Sequence, residues 1–395
     1  MCRVGLFLIP LPRIMSKIVI LGTAHPYRGG IAAFNERLAR QLQDEGHEVS
    51  IITFTLQYPG LLFPGKTQYT TDPAPEDLHI ERGVNSVSPL NWRKVGRLVN
   101  RGHYDMVVFA YWMSFFAPCY GSIARKIKNA KCVALIHNMM PHEGSLLDRL
   151  LTPFFVKSMD GFVALSKSVM NEVAKLDKHS KPKAWAPHPI YDHYGPREPR
   201  EVALEHLGLD KNFRYLLFFG LVRAYKGLDW LLEAFADERL RAYPLKLLVV
   251  GEFYDDKALY LEQIQTLGLQ DKVVVVDQFI PDDKVKDYFN ACDIVVQPYK
   301  SATQSGVTQV AYHFEKPMLV TNVGGLDEIV PNGKVGYAVD PNPNSIADAL
   351  DDFFSNHQMS GFEARIKEEK KKYSWARMTE TIMSVFHSCN NKSDH

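Results

Sequence analysis

From residue 17 onward, short unbroken apolar runs alternate with stretches whose apolar positions recur every three or four residues. KIVIL (17–21) is a compact β-rich run. IAAFNERLARQL (31–42) follows it, with Ile31, Phe34, Leu38 and Leu42 on one helical face. EVSIITF (48–54), DMVVFAYW (105–112), KCVALIH (131–137) and GFVAL (161–165) are further runs of the buried type, with helical stretches between them. Unbroken apolar strands alternating with amphipathic helices predict a parallel sheet covered on both faces. Residues 55–90, with five prolines, read as a long loop region able to shape a binding mouth.

The texture changes at PKAWAPHPIYDHYGPREP (182–199), where five prolines and little periodicity predict an interdomain connector. The alternation then resumes. Strands are expected at 215–220, 246–251, 272–277, 293–298 and 317–322, and helices at 228–236, 257–267, 282–291, 307–314 and 344–354. The tail 360–388 is helical in pattern, with Trp375 near a helix start. The fold class expected is α/β, two doubly wound Rossmann-like domains facing across a cleft. The division is an extension at 1–15, a first domain at 16–190, a second at 191–372, and a last helix at 373–390 crossing back to the first domain. Ligands in such sheets bind beyond the carboxyl ends of the strands.

Composition narrows the class without naming a chemistry. The 395 residues are 46% hydrophobic and 23% charged, with a formal net charge of +1. No apolar run is long enough to span a bilayer. MCRVGLFLIPLPRI, at the start, lacks a small-residue cleavage site and reads as an extension before the body of the protein; a membrane-contacting segment is the alternative. Five scattered cysteines, none in a C-x-x-C pair, argue against a disulfide framework or a metal site and for a reducing cytoplasm. Charge is split: residues 1–192 carry +8 and residues 193–395 carry −7. A basic half suits an anionic partner or surface; complementarity across a domain interface is the other reading.

The sharpest chemical signal is FFGLVRAYKGLDWLLEAF (218–235). An apolar run ends at Gly220, Arg223 and Lys226 follow, and a glycine opens a helix. Fixed cations beside helix-start N–H groups suit a diphosphate. A second anion site is expected at Ser305-Gly306-Val307-Thr308, where Gly306 lets backbone approach a ligand, the N–H groups of Val307 and Thr308 are unpaired, and the Thr308 hydroxyl adds a donor. The other reading is an ordinary N-capped helix. Gly29-Gly30, between the first strand and first helix, is either a tight turn or a flexible lip over the ligand. His137 ends a strand, with Asn138, His142 and Glu143 close behind; a neutral imidazole there could bond a sugar hydroxyl. The segment 91–101 sets Arg93, Lys94, Arg97 and Arg101 beside apolar positions, a basic amphipathic helix suited to an anionic membrane surface, or simply a solvated helix face.

Taken in order, Gly29-Gly30 after the first strand, strand-end His137, F-G-x-x-R-x-x-K-G, the S-G-V-T helix start and P-M-L-V-T-N-V-G-G-L-D-E make residues 16–385 resemble a family 4-like glycosyltransferase of the GT-B fold (glycosyl transferases group 1). The resemblance implies that Arg223 and Lys226 bind the donor diphosphate, that Val307 and Thr308 meet its phosphates through backbone N–H groups, and that His137 faces the transferring sugar; Gly29, Gly30, Ser305, Gly306 and Gln309 are expected on the donor side as well. It implies that Glu252 and Phe279-Ile280 sit where members of the family hold the nucleoside, and that transfer retains the anomeric configuration. The cluster Asn138, His142 and Glu143 is expected on the acceptor side, the acceptor being a glycan, lipid-linked or other hydroxyl, and no metal or cofactor is expected beyond the nucleotide-sugar donor. The setting expected is cytoplasmic, in cell-envelope polysaccharide synthesis, with peripheral contact to an anionic membrane through the basic first domain as a further possibility and no nucleic-acid partner. Two departures stand out. Many members carry glutamates where this chain has Ala302 and Val310, with Gln304 and Gln309 as nearby polar residues. Leu221 follows Gly220 where the family's arginine usually stands, and Arg223 comes two places later. A nucleotide-sugar epimerase of the same architecture and a non-catalytic protein that kept the fold are the rival readings.

Overall fold

The computed structural model describes residues 15–59, 68–70, 73–139, 146–302 and 305–391, with backbone alone at 146–150. The chain forms two compact units. One takes in the described residues up to His188 together with those from Trp375 onward; the other is Pro189–Ser374.

The first unit runs β1 (Lys17–Leu21), α1 (Gly30–Asp44), β2 (Glu48–Leu56), β3 (His79–Asn85), α2 (Pro89–Arg101), β4 (Met106–Tyr111), α3 (Ala117–Ala124), β5 (Lys131–Ile136), α4 (Leu146–Ser158), β6 (Gly161–Ala164), α5 (Lys167–Leu176) and β7 (Lys183–Trp185). Its seven strands are all parallel in the order β3-β2-β1-β4-β5-β6-β7. Every residue of β4 is buried, which an unbroken apolar run requires when helices cover both faces.

The second unit runs α6 (Arg200–Leu207), β8 (Arg214–Phe219), α7 (Leu228–Phe235), β9 (Leu245–Val250), α8 (Lys257–Thr266), β10 (Val273–Val276), α9 (Asp282–Ala291), β11 (Ile294–Gln297), α10 (Gly306–His313), β12 (Met318–Thr321), α11 (Leu326–Ile329), β13 (Gly336–Val339), α12 (Pro343–Ser355) and α13 (Met359–Glu369). Its sheet order is β10-β9-β8-β11-β12-β13, again all parallel. In both sheets the strand order reverses beside the first strand. The switch point lies between β1 and β4 in one unit and between β8 and β11 in the other.

The last helix, α14 (Trp375–Asn391), belongs to the first unit and packs on β5, β6, β7 and α1. Gly161 makes room for it: a Cβ there would lie 2.6 Å from a Val385 methyl and 2.8 Å from the Cys389 sulfur.

Three strands depart from the expectation. β3 falls inside the stretch read as loop, because HIERGVN buries only Val84 and an edge strand needs no apolar run. β7 falls inside the connector for the same reason. β13 pairs through Gly336, where a Cβ would sit 1.8 Å from the Met318 carbonyl oxygen. The helical tail is built as α13 and a last helix that starts at Trp375, parted by a tight turn at Lys370–Tyr373. The extension before Met15, and residues 60–67 and 71–72 of the presumed mouth, lie outside the described residues. The described cysteines, Cys119, Cys132, Cys292 and Cys389, are buried and form no disulfide with one another.

Candidate functional site

Two chain segments meet at the switch point of the second unit. The loop leaving β8 carries Gly220, Arg223 and Lys226; the segment leaving β11 leads into α10. Glycines let these ends crowd together. A Cβ on Gly251, at the end of β9, would lie 2.3 Å from the Gly220 carbonyl oxygen, and one on Gly227 would lie 2.0 Å from that of Pro298. Both glycines have positive φ, +138° and +68°. The Val222 N–H donates to the Glu252 carbonyl (2.8 Å), and the Tyr254 N–H donates back to Val222 (3.0 Å). The Ala224 N–H donates to the Asp255 carboxylate. The basic loop is thus laced to its neighbour rather than loose.

Lys226 is only 8% exposed. Its Nζ stands 3.1 Å from the position a Cβ would take on Gly220, a point that also lies 3.9 Å from a Val307 methyl of α10. The Tyr299 ring lies 5.8 Å from the same Nζ. No carboxylate among the described residues pairs with Lys226. Burial, with help from Arg223, pushes its ammonium down to about 8. Arg223 is exposed and stacks on Tyr254 at 4.7 Å, also without a carboxylate partner among the described residues. A cation this buried and uncompensated is costly unless an anion arrives.

At α10, Ser305 does not act as a side-chain cap. Its hydroxyl donates to the Gln297 side-chain oxygen instead. The leading N–H groups of α10 are therefore left for another acceptor. The ordinary N-capped helix is not what the chain builds. One detail of the expectation is corrected. The Thr308 hydroxyl is fully buried and donates to the Ser305 carbonyl (2.6 Å), so it adds no donor to a ligand. The near neighbour of Gly306 is the Tyr191 ring, which a Cβ would meet at 3.1 Å.

Gln309 and Gln297 are buried, and the Gln309 oxygen and Gln297 nitrogen lack partners among the described residues. Val310 is buried in the core and Ala302 packs against it, so neither position presents a polar group. Gln304 lies outside the described residues. Glu252 is half-buried at the β9 end. Phe279 is 67% exposed, whereas Ile280 is buried. A cavity of about 390 Å³ opens beside Ile280, lined also by His206, Gln278, Lys284 and Tyr288. Near it Glu198, His206 and Asp287 bring ligand atoms within 4.8 Å of one another, but Lys286 already pairs with Glu198 and His206 with Asp287.

In the first unit, Gly29 and Gly30 open α1, and a Cβ on either would meet nothing within 4 Å. Gly29 needs to be glycine for its φ of +118°. His137 follows β5, its backbone N–H donating to Tyr111 O (2.9 Å) and its ring edge-on to Phe34 at 4.8 Å. Burial, with a smaller effect of His188, pushes its imidazole down to about 3, so it is neutral. Its Nε2 is buried and lacks a partner among the described residues. Asn138 is exposed; His142 and Glu143 lie outside the described residues.

Sequence reasoning missed Tyr299, Tyr254, Gly251 and Gln297 as parts of this site. Gln297 left one signal, a polar residue closing an otherwise apolar strand.

The profile described as "Glycosyl transferases group 1" matches residues 213–356, and that of "Glycosyltransferase Family 4" matches residues 28–187. The chain is 25% identical to an uncharacterized glycosyltransferase of Methanocaldococcus jannaschii, over 94% of this chain and 97% of that one. Among solved structures it superposes on HepE of Anabaena in complex with UDP (TM-score 0.69, 16% identity, 94% of this chain and 100% of that one). It also superposes on sucrose-phosphate synthase of Thermosynechococcus elongatus (TM-score 0.68, 16% identity, 95% and 100%). Two parallel-sheet Rossmann-like units, the basic switch-point loop and the paired matches lead to one conclusion: the chain belongs to the family 4-like group 1 glycosyltransferases of the GT-B fold.

Proposed function

We propose that the protein transfers a sugar, with retention of configuration, from a nucleotide-diphosphate sugar to a hydroxyl of a glycan, lipid-linked or other acceptor. The observation that carries this reading is Lys226: a buried ammonium without a carboxylate partner among the described residues, beside the start of a helix that takes no side-chain cap. That the Anabaena relative was solved with UDP supports a nucleotide donor.

In the proposed step, the bond between the anomeric carbon and the phosphate oxygen breaks and negative charge grows on the leaving diphosphate. Arg223, Lys226 and the leading amides of α10 stabilise that charge more in the transition state than in the ground state. The acceptor oxygen bonds to the anomeric carbon on the face the phosphate leaves, and its proton passes to the departing phosphate oxygen. His137 supplies a neutral ring nitrogen able to bond a sugar hydroxyl. The protein's own cations supply the charge, so no step is routed through a metal or cofactor. The described cysteines, buried and in no disulfide with one another, support a reducing, cytoplasmic location.

Turnover of nucleotide sugars by the purified full chain, with and without acceptor alcohols, tests the reading. Transfer needs an acceptor, whereas epimerisation proceeds without one. Neither reaction with any donor that binds would leave a non-catalytic role and overturn the proposal.

A further inference from the structure

β11 ends on a side chain for which the strand has no need. Ile294, Val295 and Val296 are buried and apolar, and Gln297, which closes the strand, is only 1% exposed. Its Oε1 accepts from the Ser305 hydroxyl, while its buried Nε2 has no partner among the described residues. A buried amide with an unmet donor costs stability that an apolar side chain of the same shape would not. Packing therefore gives no reason for a glutamine here. Its one engaged atom does.

That atom holds a hydroxyl that would otherwise cap α10. Ser305 stands at the N-cap with extended backbone, φ −133° and ψ 121°. Ser88 and Ser166 hold the same position before α2 and α5, with φ −106°, ψ 105° and φ −149°, ψ 160°. Both of these do cap. Ser88 Oγ accepts from the Asn91 N–H (3.4 Å) and Ser166 Oγ from the Val169 N–H (3.2 Å), each three residues on. The backbone of Ser305 lies between theirs, so it permits the equivalent bond to the Thr308 N–H. Side chains turn the hydroxyl away instead. Gln297 accepts its hydrogen, and the Tyr299 hydroxyl stands 3.3 Å from the same oxygen. The Thr308 hydroxyl donates to the Ser305 carbonyl (2.6 Å) and fixes the backbone there.

We infer that Gln297 is a positioning residue of the anion site: by holding the Ser305 hydroxyl, it keeps the Thr308 N–H open for a phosphate of the nucleotide. A cap hydroxyl and a phosphate oxygen compete for the same hydrogen, and the local hydroxyl wins unless it is tied elsewhere. The inference rests on the sugar-transfer reading for the identity of the anion. It adds the residue that prevents the helix start from satisfying itself.

The test uses Gln297→Met in the full chain, which keeps the length of the side chain and removes its amide. Ser305, once released, should cap α10. Hydrogen exchange at the Thr308 amide should slow, and the thermal midpoint should hold or rise. UDP, GDP, ADP, CDP and thymidine diphosphate are titrated by calorimetry into the parent chain, and the tightest of them into the variants. Its Kd should rise about 5-fold, the equilibrium equivalent of one helix cap. Adding Ser305→Ala removes the competing hydroxyl, so exchange should quicken again and most of the affinity should return. A purely structural role for Gln297 predicts the reverse: stability and affinity fall together, and a second deletion restores neither. Unchanged affinity in Gln297→Met, or a loss that Ser305→Ala does not reverse, overturns this inference alone. A parent chain that binds none of the five diphosphates overturns it together with the sugar-transfer reading.

Discussion

Ser305 gives its hydroxyl to Gln297 and leaves α10 without a side-chain cap. The helix thereby forgoes about 1 kcal/mol that capping typically contributes. A Cβ placed on Gly220 would stand 3.1 Å from the Lys226 ammonium nitrogen and 3.9 Å from a Val307 methyl, so the cation and the start of α10 border the same small space.

Removing that cation should be felt in the reaction more than in the fold. Lys226→Ala is expected to lower kcat/KM for transfer by about 2–4 kcal/mol, roughly 30- to 1,000-fold. It should leave the thermal midpoint unchanged or raise it, because an uncompensated buried charge is removed. Steady-state kinetics beside thermal unfolding separates the two effects. Full activity in the variant would end the diphosphate assignment.

The lowered Lys226 ammonium gives the site a pH signature. Below about 8 the free protein carries the proton; above it the amine is mostly neutral. A bound diphosphate favours the charged form and raises the pKa again. Binding of UDP should therefore weaken as pH rises past about 8 and take up a proton there. Calorimetry in buffers of different ionisation heats measures that uptake. Lys226→Arg stays charged throughout and should bind without it.

His137 predicts the opposite behaviour in acid. Its imidazole titrates near 6.5 when unfolded and at about 3 when folded, so the unfolded chain binds the proton first. Stability is full above 6.5 and is lost as pH falls toward 3, with a slope of at most about 1.4 kcal/mol per pH unit from this group. Urea midpoints measured between neutral and mildly acid pH should fall less steeply in His137→Asn. Parallel slopes would show that another group dominates.

Two glycines separate strain from access. Gly227→Ala must hold φ +68° with a Cβ 2.0 Å from the Pro298 oxygen, and should cost about 1–3 kcal/mol or more of stability. Gly30→Ala meets nothing within 4 Å and should be neutral or stabilising by about 0.5–1 kcal/mol. If Gly30→Ala is stable yet slow, its bare backbone is approached by substrate; if it is stable and fully active, Gly30 serves only the turn.

Much of this architecture was readable from the chain because parallel strands under two helical layers leave unbroken apolar runs, as in β1, β4 and β9. The basic loop was readable because Arg223, Lys226 and Gly227 are local in sequence. What escaped notice was set by neighbours. β3 gains its strand from pairing with β2, not from its own pattern. The Thr308 hydroxyl looked like a ligand donor until the Ser305 carbonyl took it. Hydroxyl direction and ring placement depend on contacts far along the chain, and no periodicity records them.

The place of α14 has a consequence for biosynthesis. Phe34, Gly161 and the surface of β5 stay uncovered until Trp375, Val385 and Cys389 have left the ribosome, whereas the second unit is complete in sequence by Ser374. The unit that is translated first is therefore the one that finishes folding last, and in the interval its exposed apolar surface is a natural substrate for chaperones.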